Sequence, residues 1–303
     1  HDDILADNAL YWVARELQKK PQANLIYSDE DKVNDDGMRA CPHFKPAFNI
    51  DLLLSYNFIS HLGVYRREIL KQIGGFRVGF EGSQDHDLAL RTVLESSPDQ
   101  IIHIPRVLYH WRAHSESTAS NPDSKDYTTE SGHKAVQHFL DEQHRRGGVR
   151  ATARIKAKNR FTCQWHIPEK SPSVELIIPT RDQAEVLNLA VDSIITKTTY
   201  TNYTITVVDN QSEEVATKNL FKNLKRVHGE KINIIKYNKK FNYSAINNYA
   251  VRKSKADIVA LVNNDVEVIS SKWLQEIVSH TSRPDVGCVG AKLYYSNGTI
   301  QHG

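Results

Sequence analysis

Polar and acidic residues follow three apolar runs in the second half of this chain. Val174-Glu175-Leu176-Ile177-Ile178-Pro179-Thr180 leads into Arg181 and Asp182, Thr204 to Val208 into Asp209 and Asn210, and Asp257 to Val262 into Asn263, Asn264 and Asp265. If these runs are parallel strands, their carboxyl ends meet on one rim, where open α/β sheets bind ligands. One acidic strand end means little, but three converging ends point to a site. Asn247 and Asn248 fall inside a helical stretch, where Asn has poor propensity, so a polar role is favoured. Asn242 and Ser244 suit either that site or a helix cap, Asp182 either the site or an exposed turn, and Asp265 either the site or an N-cap.

The elements that must carry these residues alternate. Helical spacing of Leu187, Val191 and Ile194, helices near 213–225 and 243–253, and strands near 174–180, 204–209, 232–235 and 257–262 predict β-α-β-α-β-α-β. That order implies a parallel sheet covered by helices, and the continuous apolar strands imply burial on both faces. The first half is more mixed. Asp7-Asn8 is expected to cap a helix with Leu10, Val13, Ala14 and Leu17 on one face. Strands are predicted at 24–27, near 58–65 and at 106–111, and Gln84-Asp85-His86-Asp87 opens a helix near 85–96. A polar stretch from Asn121, a helix near 127–145 and two short strands near 150–156 and 161–166 read as a connector. The expected divisions are 1–118, 119–170 and 171–303.

Bulk properties narrow the classes. At 303 residues with a formal charge of +3, the chain has room for two domains and no strong basic field for nucleic acid. No apolar run approaches the roughly 18 residues of a membrane span. His1-Asp2-Asp3 does not read as a signal peptide, and a start without Met predicts a piece of something longer. Cys41, Cys163 and Cys288 are odd in number and far apart, so reduced thiols are expected.

Two segments also look alike. His1-Asp2-Asp3-Ile4-Leu5, a helix and Pro21 to Tyr27 recur as Asn264-Asp265-Val266-Glu267-Val268, a helix around Trp273 and Pro284 to Val289. Asp2 then corresponds to Asp265, and the chain holds the back of one domain followed by the front of a second.

Taken together, these pieces resemble family 2 glycosyltransferases of the GT-A fold. The likeness is to the tandem-domain, rhamnosyltransferase-like proteins of bacterial surface polysaccharide synthesis. It rests on Ile177 to Asp182, Val207-Val208-Asp209-Asn210-Gln211-Ser212, Phe241 to Asn248 and Asn263 to Glu267. In the first half it rests on His1-Asp2-Asp3, Tyr27 to Lys32, Ser60 to Arg67, Gly82 to Asp87 and Tyr109-His110-Trp111-Arg112.

The resemblance implies a Rossmann-like, mostly parallel sheet with flanking helices, present here as two partial domains. It implies transfer of a sugar from a UDP-, dTDP- or GDP-sugar to a glycan or lipid-linked acceptor, with inversion. Mg²⁺ or Mn²⁺ would neutralise the diphosphate. Nucleotide-sugar contacts fall to Pro179, Thr180, Arg181, Asp182, Asp209, Asn242, Ser244, Asn247, Asn248, Asn264 and Asp265. Metal contacts fall to Asp2, Asp265 and His114, although Asn263-Asn264-Asp265 keeps only one carboxylate. Asp85 matches the catalytic base, with an N-cap as the alternative. His61, Gln84, His110 and Arg112 would meet acceptor or phosphate, and Asp29-Glu30-Asp31 is either acceptor-facing or a solvated turn. The implied place is the cytoplasm or the cytoplasmic face of the inner membrane, in peripheral contact with membrane-bound assembly machinery. A chain cut this way is expected to be inactive by itself. The competing classes are a nucleotidyltransferase, for which no Gly-rich phosphate loop is present, and a non-catalytic nucleotide-sugar-binding or scaffold module.

Overall fold

The structure, a computed structural model, describes residues 2–112 and 126–302. The chain forms two compact units, His1–Gln164 and Trp165–Gly303.

The first unit runs β1 (Ile4–Leu5), α1 (Ala9–Lys19), β2 (Leu25–Val33), β3 (Arg39–His43), α2 (Ile50–Ser55), β4 (Gly63–Tyr65), α3 (Arg67–Gln72), α4 (Gln84–Leu94), β5 (Ile101–Arg112), α5 (Asp126–Arg145), β6 (Ala151–Ala157) and β7 (Arg160–Trp165). Its sheet has the order β1-β5-β2-β3, with β4 also on β2. β2 and β5 pair in parallel, while β1, β3 and β4 pair antiparallel. A hairpin of β6 and β7, together with α5, belongs to the same unit.

Three expectations change here. The buried face of α1 is Ala9 and Val13, with Leu10 74% exposed, because the helix lays its smaller side chains against Ile26, Ile104 and Leu108. Asn8 precedes α1 but its side chain makes no cap bond. The strand predicted over 58–65 shortens to Gly63–Tyr65, because only those residues pair with β2; Phe58 and Ile59 are buried in irregular chain.

Residues 29–31 are no solvated turn. Asp29, Glu30 and Asp31 lie inside β2 and are at most 8% exposed. Their charges are tolerated because each meets a basic group, as buried ions require.

The second unit runs β8 (Val174–Thr180), α6 (Ala184–Lys197), β9 (Tyr203–Asp209), α7 (Val215–His228), β10 (Ile232–Lys236), α8 (Tyr243–Val251), β11 (Ile258–Leu261), α9 (Trp273–Thr281), β12 (Leu293–Tyr294) and β13 (Ile300–His302). Its main sheet, β10-β9-β8-β11, is parallel throughout. Alternation sorts the apolar strands onto two faces. Val174, Leu176, Ile178, Ile205 and Val207 pack with Leu187, Val191 and Ile194 of α6 and Leu224 of α7. Ile177 and Val208 pack with Ile246 and Ala250 of α8 on the other face. Each such aliphatic side chain contributes about 1.5–3 kcal/mol when fully buried.

Burial on both faces holds for β8 and β9. At the edge, β11 leaves Val259 and Leu261 exposed. The strand that the likeness to Pro21–Tyr27 implies near 286–289 does not form; no strand lies alongside it to pair with among the described residues. The repeat therefore keeps its acid and helix, while its last strand appears only in the first unit, where β4 and β5 flank β2.

Close packing of α5 against the rest of its unit depends on Gly132. A Cβ there would stand 2.7 Å from Cζ of Phe161, itself 3% exposed and unable to withdraw. Gly132→Ala should cost about 1–3 kcal/mol through overpacking, read as a lower urea midpoint at unchanged slope; an unchanged midpoint would refute this packing.

Candidate functional site

The second unit gathers its polar rim by register. Thr180 at the end of β8 lies opposite Asp209 at the end of β9, and Lys236 of β10 lies opposite Asp209 on the other side. Asn264 joins them: its Nδ2 donates to Thr180 Oγ1 at 3.2 Å. The loops are stitched together below this edge. Asp209 Oδ1 accepts from the Ser212 amide at 2.9 Å, and Ser212 Oγ accepts from the Asp182 amide at 2.9 Å. Asp182 sits at φ +54°, and its Oδ1 accepts from the amides of Glu213 (2.8 Å) and Glu214 (2.9 Å), just ahead of α7. That carboxylate thus offers its partial charge to a helix N-terminus.

Asn242 is a helix cap, accepting from the Ala245 amide at 2.9 Å. Tyr243 links α8 to the rim by donating to Asn263 Oδ1 at 3.3 Å. Asn247 and Asn210 are buried, and the Oδ1 atom of each has no hydrogen-bond donor among the described residues. A buried acceptor left without a donor is costly, so both suit a ligand's N–H or O–H. Asn248, Ser244, Arg181 and Asp265 are exposed, and Pro179 lies in β8 opposite Val208.

The first unit builds a second constellation. Asp85, in the first turn of α4, accepts from Asn57 Nδ2 (2.8 Å) through Oδ2 and from the His86 amide (2.9 Å) through Oδ1. Asn57 Oδ1 accepts from the Ser60 amide at 3.2 Å, and Ser60 Oγ lies 3.1 Å from His61 Nδ1. The His61 ring stacks on Tyr109 at 4.7 Å, and the Tyr109 hydroxyl donates to Asp3. Arg112 donates its amide to Asp3 Oδ1 (2.9 Å) and its Nε to the Asp2 carbonyl (2.7 Å).

Asp85, His61, Arg112 and Asp2 are therefore joined by one run of contacts. Gln84 points elsewhere, into a groove with Phe76 and Arg77. His110 is buried and committed to Asp31, 2.5 Å away. His114 lies outside the described residues. Asp87 is structural: it pairs with Arg77 and Arg91, and Arg91 also donates to the carbonyls of Ile73 and Gly75.

Among the described residues, no three His, Cys, Asp or Glu side chains gather to hold a cation by themselves. Asp265 offers one exposed carboxylate beside amide oxygens. That donor set fits Mg²⁺ or Mn²⁺ only as a shared ion, completed by diphosphate oxygens and water.

Beneath His61 lies a buried ion pair that sequence reasoning missed. The Lys45 side chain is fully enclosed; its Nζ donates to the Ile59 carbonyl at 2.7 Å and to the His61 carbonyl, and lies 3.6 Å from Glu30. Lys45 thereby pins the segment that carries Ser60 and His61. Nothing in its sequence setting separates it from a surface lysine. Asn57 was missed for the same reason. Burial pushes the Lys45 ammonium down to about 8, against the opposing pull of Glu30 and Asp29. Burial also works to raise Glu30, but the hydrogen bonds from His61 and His43 and the Lys45 charge outweigh it and hold this carboxyl below its ordinary value.

Residues 175–302 match the family model Glycosyl transferase family 2. That match falls within the second unit. Over 311 residues the chain is 43% identical to "Uncharacterized protein y4gI" of Sinorhizobium fredii, covering 100% of this chain and 33% of that protein. Over 301 residues it is 36% identical to "O-antigen biosynthesis protein RfbC" of Myxococcus xanthus, covering 99% of this chain and 23% of that protein. The chain spans a third or less of the length of these curated relatives. A mannosyltransferase from Pyrobaculum calidifontis, solved with GDP-Man and Mn²⁺, overlaps 42% of this chain and 38% of its own at 22% identity and a TM-score of 0.38.

The Lys45–Glu30 pair yields a stability test. Glu30→Gln should cost about 3–5 kcal/mol, because it strands a buried ammonium, and Lys45→Met in the same chain should recover most of it. Lys45 holds its proton less tightly folded than unfolded, so its contribution to stability rises with pH from about 8 to the ordinary 10.5. Lys45→Met should flatten that rise in urea titrations at pH 8 and pH 10; an unaltered slope rules out the burial argued above.

Proposed function

We propose that the chain is part of a glycosyltransferase that moves a sugar from a nucleotide-diphosphate sugar to a glycan or lipid-linked acceptor, with inversion, in cell-surface polysaccharide synthesis. The observation that carries this reading is the rim of Thr180, Asp209 and Asn264 on adjacent parallel strand ends, inside the segment that matches the family. The name of the Myxococcus relative supports the polysaccharide setting.

In the second unit the nucleotide would lie over the ends of β8 and β9, with Asp209 toward the base and the unmatched oxygens of Asn210 and Asn247 accepting donors from the ligand. Asn264 and Asp265 would face the diphosphate. A divalent cation, when bound, would offset the charge of the departing diphosphate. In the first unit Asp85 is the proposed base of that unit's own transfer site, separate from the nucleotide rim of the second. As the acceptor oxygen attacks the anomeric carbon, the bond to the phosphate oxygen breaks and the hydroxyl proton passes to the carboxylate. Asn57 and the His86 amide hold that carboxylate without a cation, so lone pairs remain to take the proton. Asp2, tied by its carbonyl to Arg112, would occupy in this unit the place of Asp265 in the other.

A single carboxylate at Asn263-Asn264-Asp265 favours a second reading for that unit, a scaffold that neither binds a nucleotide sugar nor turns one over. Calorimetry separates the two. UDP-, dTDP- and GDP-sugars should bind with Mn²⁺ present and Mn²⁺ alone should not, and Asp265→Asn should weaken the nucleotide-dependent Mn²⁺ binding about tenfold or more. A scaffold would bind no nucleotide sugar under either condition. In the longer protein, Asp85→Asn should lower transfer by about 10²–10⁴ while leaving donor affinity unchanged.

A further inference from the structure

The α5 helix and the β6–β7 hairpin lie outside the family match, yet the hairpin walls the Asp85 cavity and α5 holds it there. Two glycines let them in. A Cβ on Gly82, at φ +80°, would stand 2.6 Å from Thr128 Cγ2, and one on Gly132 would strike Phe161. Ser83 Oγ, two residues ahead of Asp85, donates to the Thr128 carbonyl at 2.8 Å. The hairpin tip turns at Asn159, φ +51°, whose Oδ1 accepts from the hydroxyls of Thr128 and Thr129, both at 3.2 Å. Phe161 then stacks beside His86, 6.2 Å between centroids. The tip is therefore locked to the loop that presents Asp85.

The cavity is about 190 Å³, lined by Tyr56, Asn57, Asp85, Asn159, Arg160 and Phe161 among others. That is below the ~300–1,000 Å³ of a site for a drug-sized ligand and suits one sugar ring. Its charges are few. His86 is buried, with its Nε2 2.8 Å from the Leu53 carbonyl, and burial lowers its proton affinity, so it adds no charge. Arg160 is the cation of the lining. Its guanidinium lies 4.2 Å from the centroid of the Tyr56 ring, and Nη1 donates to the Asn159 carbonyl at 3.3 Å. No carboxylate pairs with it among the described residues. Stacking on an aromatic face leaves the planar edge of a guanidinium available, already ordered for two parallel hydrogen bonds to an oxyanion. A carboxylate held by neutral donors thus shares a one-ring cavity with an arginine that has no acid to meet.

We propose that Arg160 selects the acceptor: it takes an oxyanion, carboxylate or phosphate, on the sugar whose hydroxyl faces Asp85. This rests on Asp85 being the base. Arg160 is a specificity residue here and takes no part in the proton transfer.

The test titrates the chain with methyl β-D-glucuronide, D-glucose 6-phosphate and methyl β-D-glucoside, followed by NMR. At least one anionic sugar should bind about tenfold tighter than the neutral one, and whichever binds tighter identifies carboxylate or phosphate as the group read. Arg160→Gln should bring all three within about twofold of one another, and Arg160→Lys should restore part of the preference. Asp85→Asn should keep the preference. Equal affinities in the unsubstituted chain, no measurable binding of the anionic sugars, or a preference that survives Arg160→Gln would overturn the proposal. If the preference obeys Arg160 but Asp85→Asn leaves transfer by the longer protein intact, the assignment of the base fails and the subsite stands.

Discussion

Parallel pairing is the constraint on which the second unit depends. In a parallel ladder every strand must deliver its carboxyl end to the same edge, whatever residues stand there. Because Val174 pairs with both Tyr203 and Ile258, Thr180 falls beside Asp209 and the 262–265 segment leaves the sheet along the same edge. The helices are then obliged to cover the faces, which leaves the rim as the one edge where three loops with carboxylates and amides meet. The rim is thus a consequence of topology, and the side chains decide only what it binds.

The first unit reaches a comparable end by a different route. Its central strand carries three consecutive acids, and a strand of that composition survives burial only if bases surround it. Asp31 meets Arg39 and His110, Asp29 meets His103 and the Lys45 amide, and Glu30 meets Lys45, His43 and His61. This network has a geometric result. By holding the carbonyls of Ile59 and His61, Lys45 sets the segment between Asn57 and His61, and through Asn57 that segment sets Asp85. Fold stability and site geometry are here one set of interactions.

The same contrast explains what could be read beforehand. In the second unit, runs such as Leu176-Ile177-Ile178 and Ile205 to Val208 announce strands, and Leu187, Val191 and Ile194 announce a helix, so the order of elements and the rim residues followed. The second half of β2 gives no such signal: Ser28-Asp29-Glu30-Asp31-Lys32 has neither an apolar run nor a period, and only neighbours far along the chain make it a strand. Val286 to Val289 is the opposite case, with strand-forming residues and, among the described residues, no strand to pair with. Individual roles were the least legible. Asn242 and Asp182 have the residue types of a ligand site and the hydrogen bonds of loop anchors. Arg160 has the type of a surface residue, yet a tight turn of the β6–β7 hairpin brings it to a cavity more than seventy residues upstream.

The carboxylates can be sorted by what already occupies them, and this narrows the chemistry further than residue type does. Asp87 is taken up by two arginines, Asp31 by an arginine and a histidine, and Asp182 by two amides ahead of a helix. A carboxylate so occupied meets a reacting hydroxyl only by breaking bonds that hold the fold. Asp85 differs from Asp87 and Asp31 in that both its partners are neutral; both come from segments that line its cavity, and neither consumes the second lone pair of the oxygen it touches. A proton can therefore arrive there with the surrounding structure intact. Among the acids of the first unit, availability separates Asp85 from Asp87, two positions along the same helix.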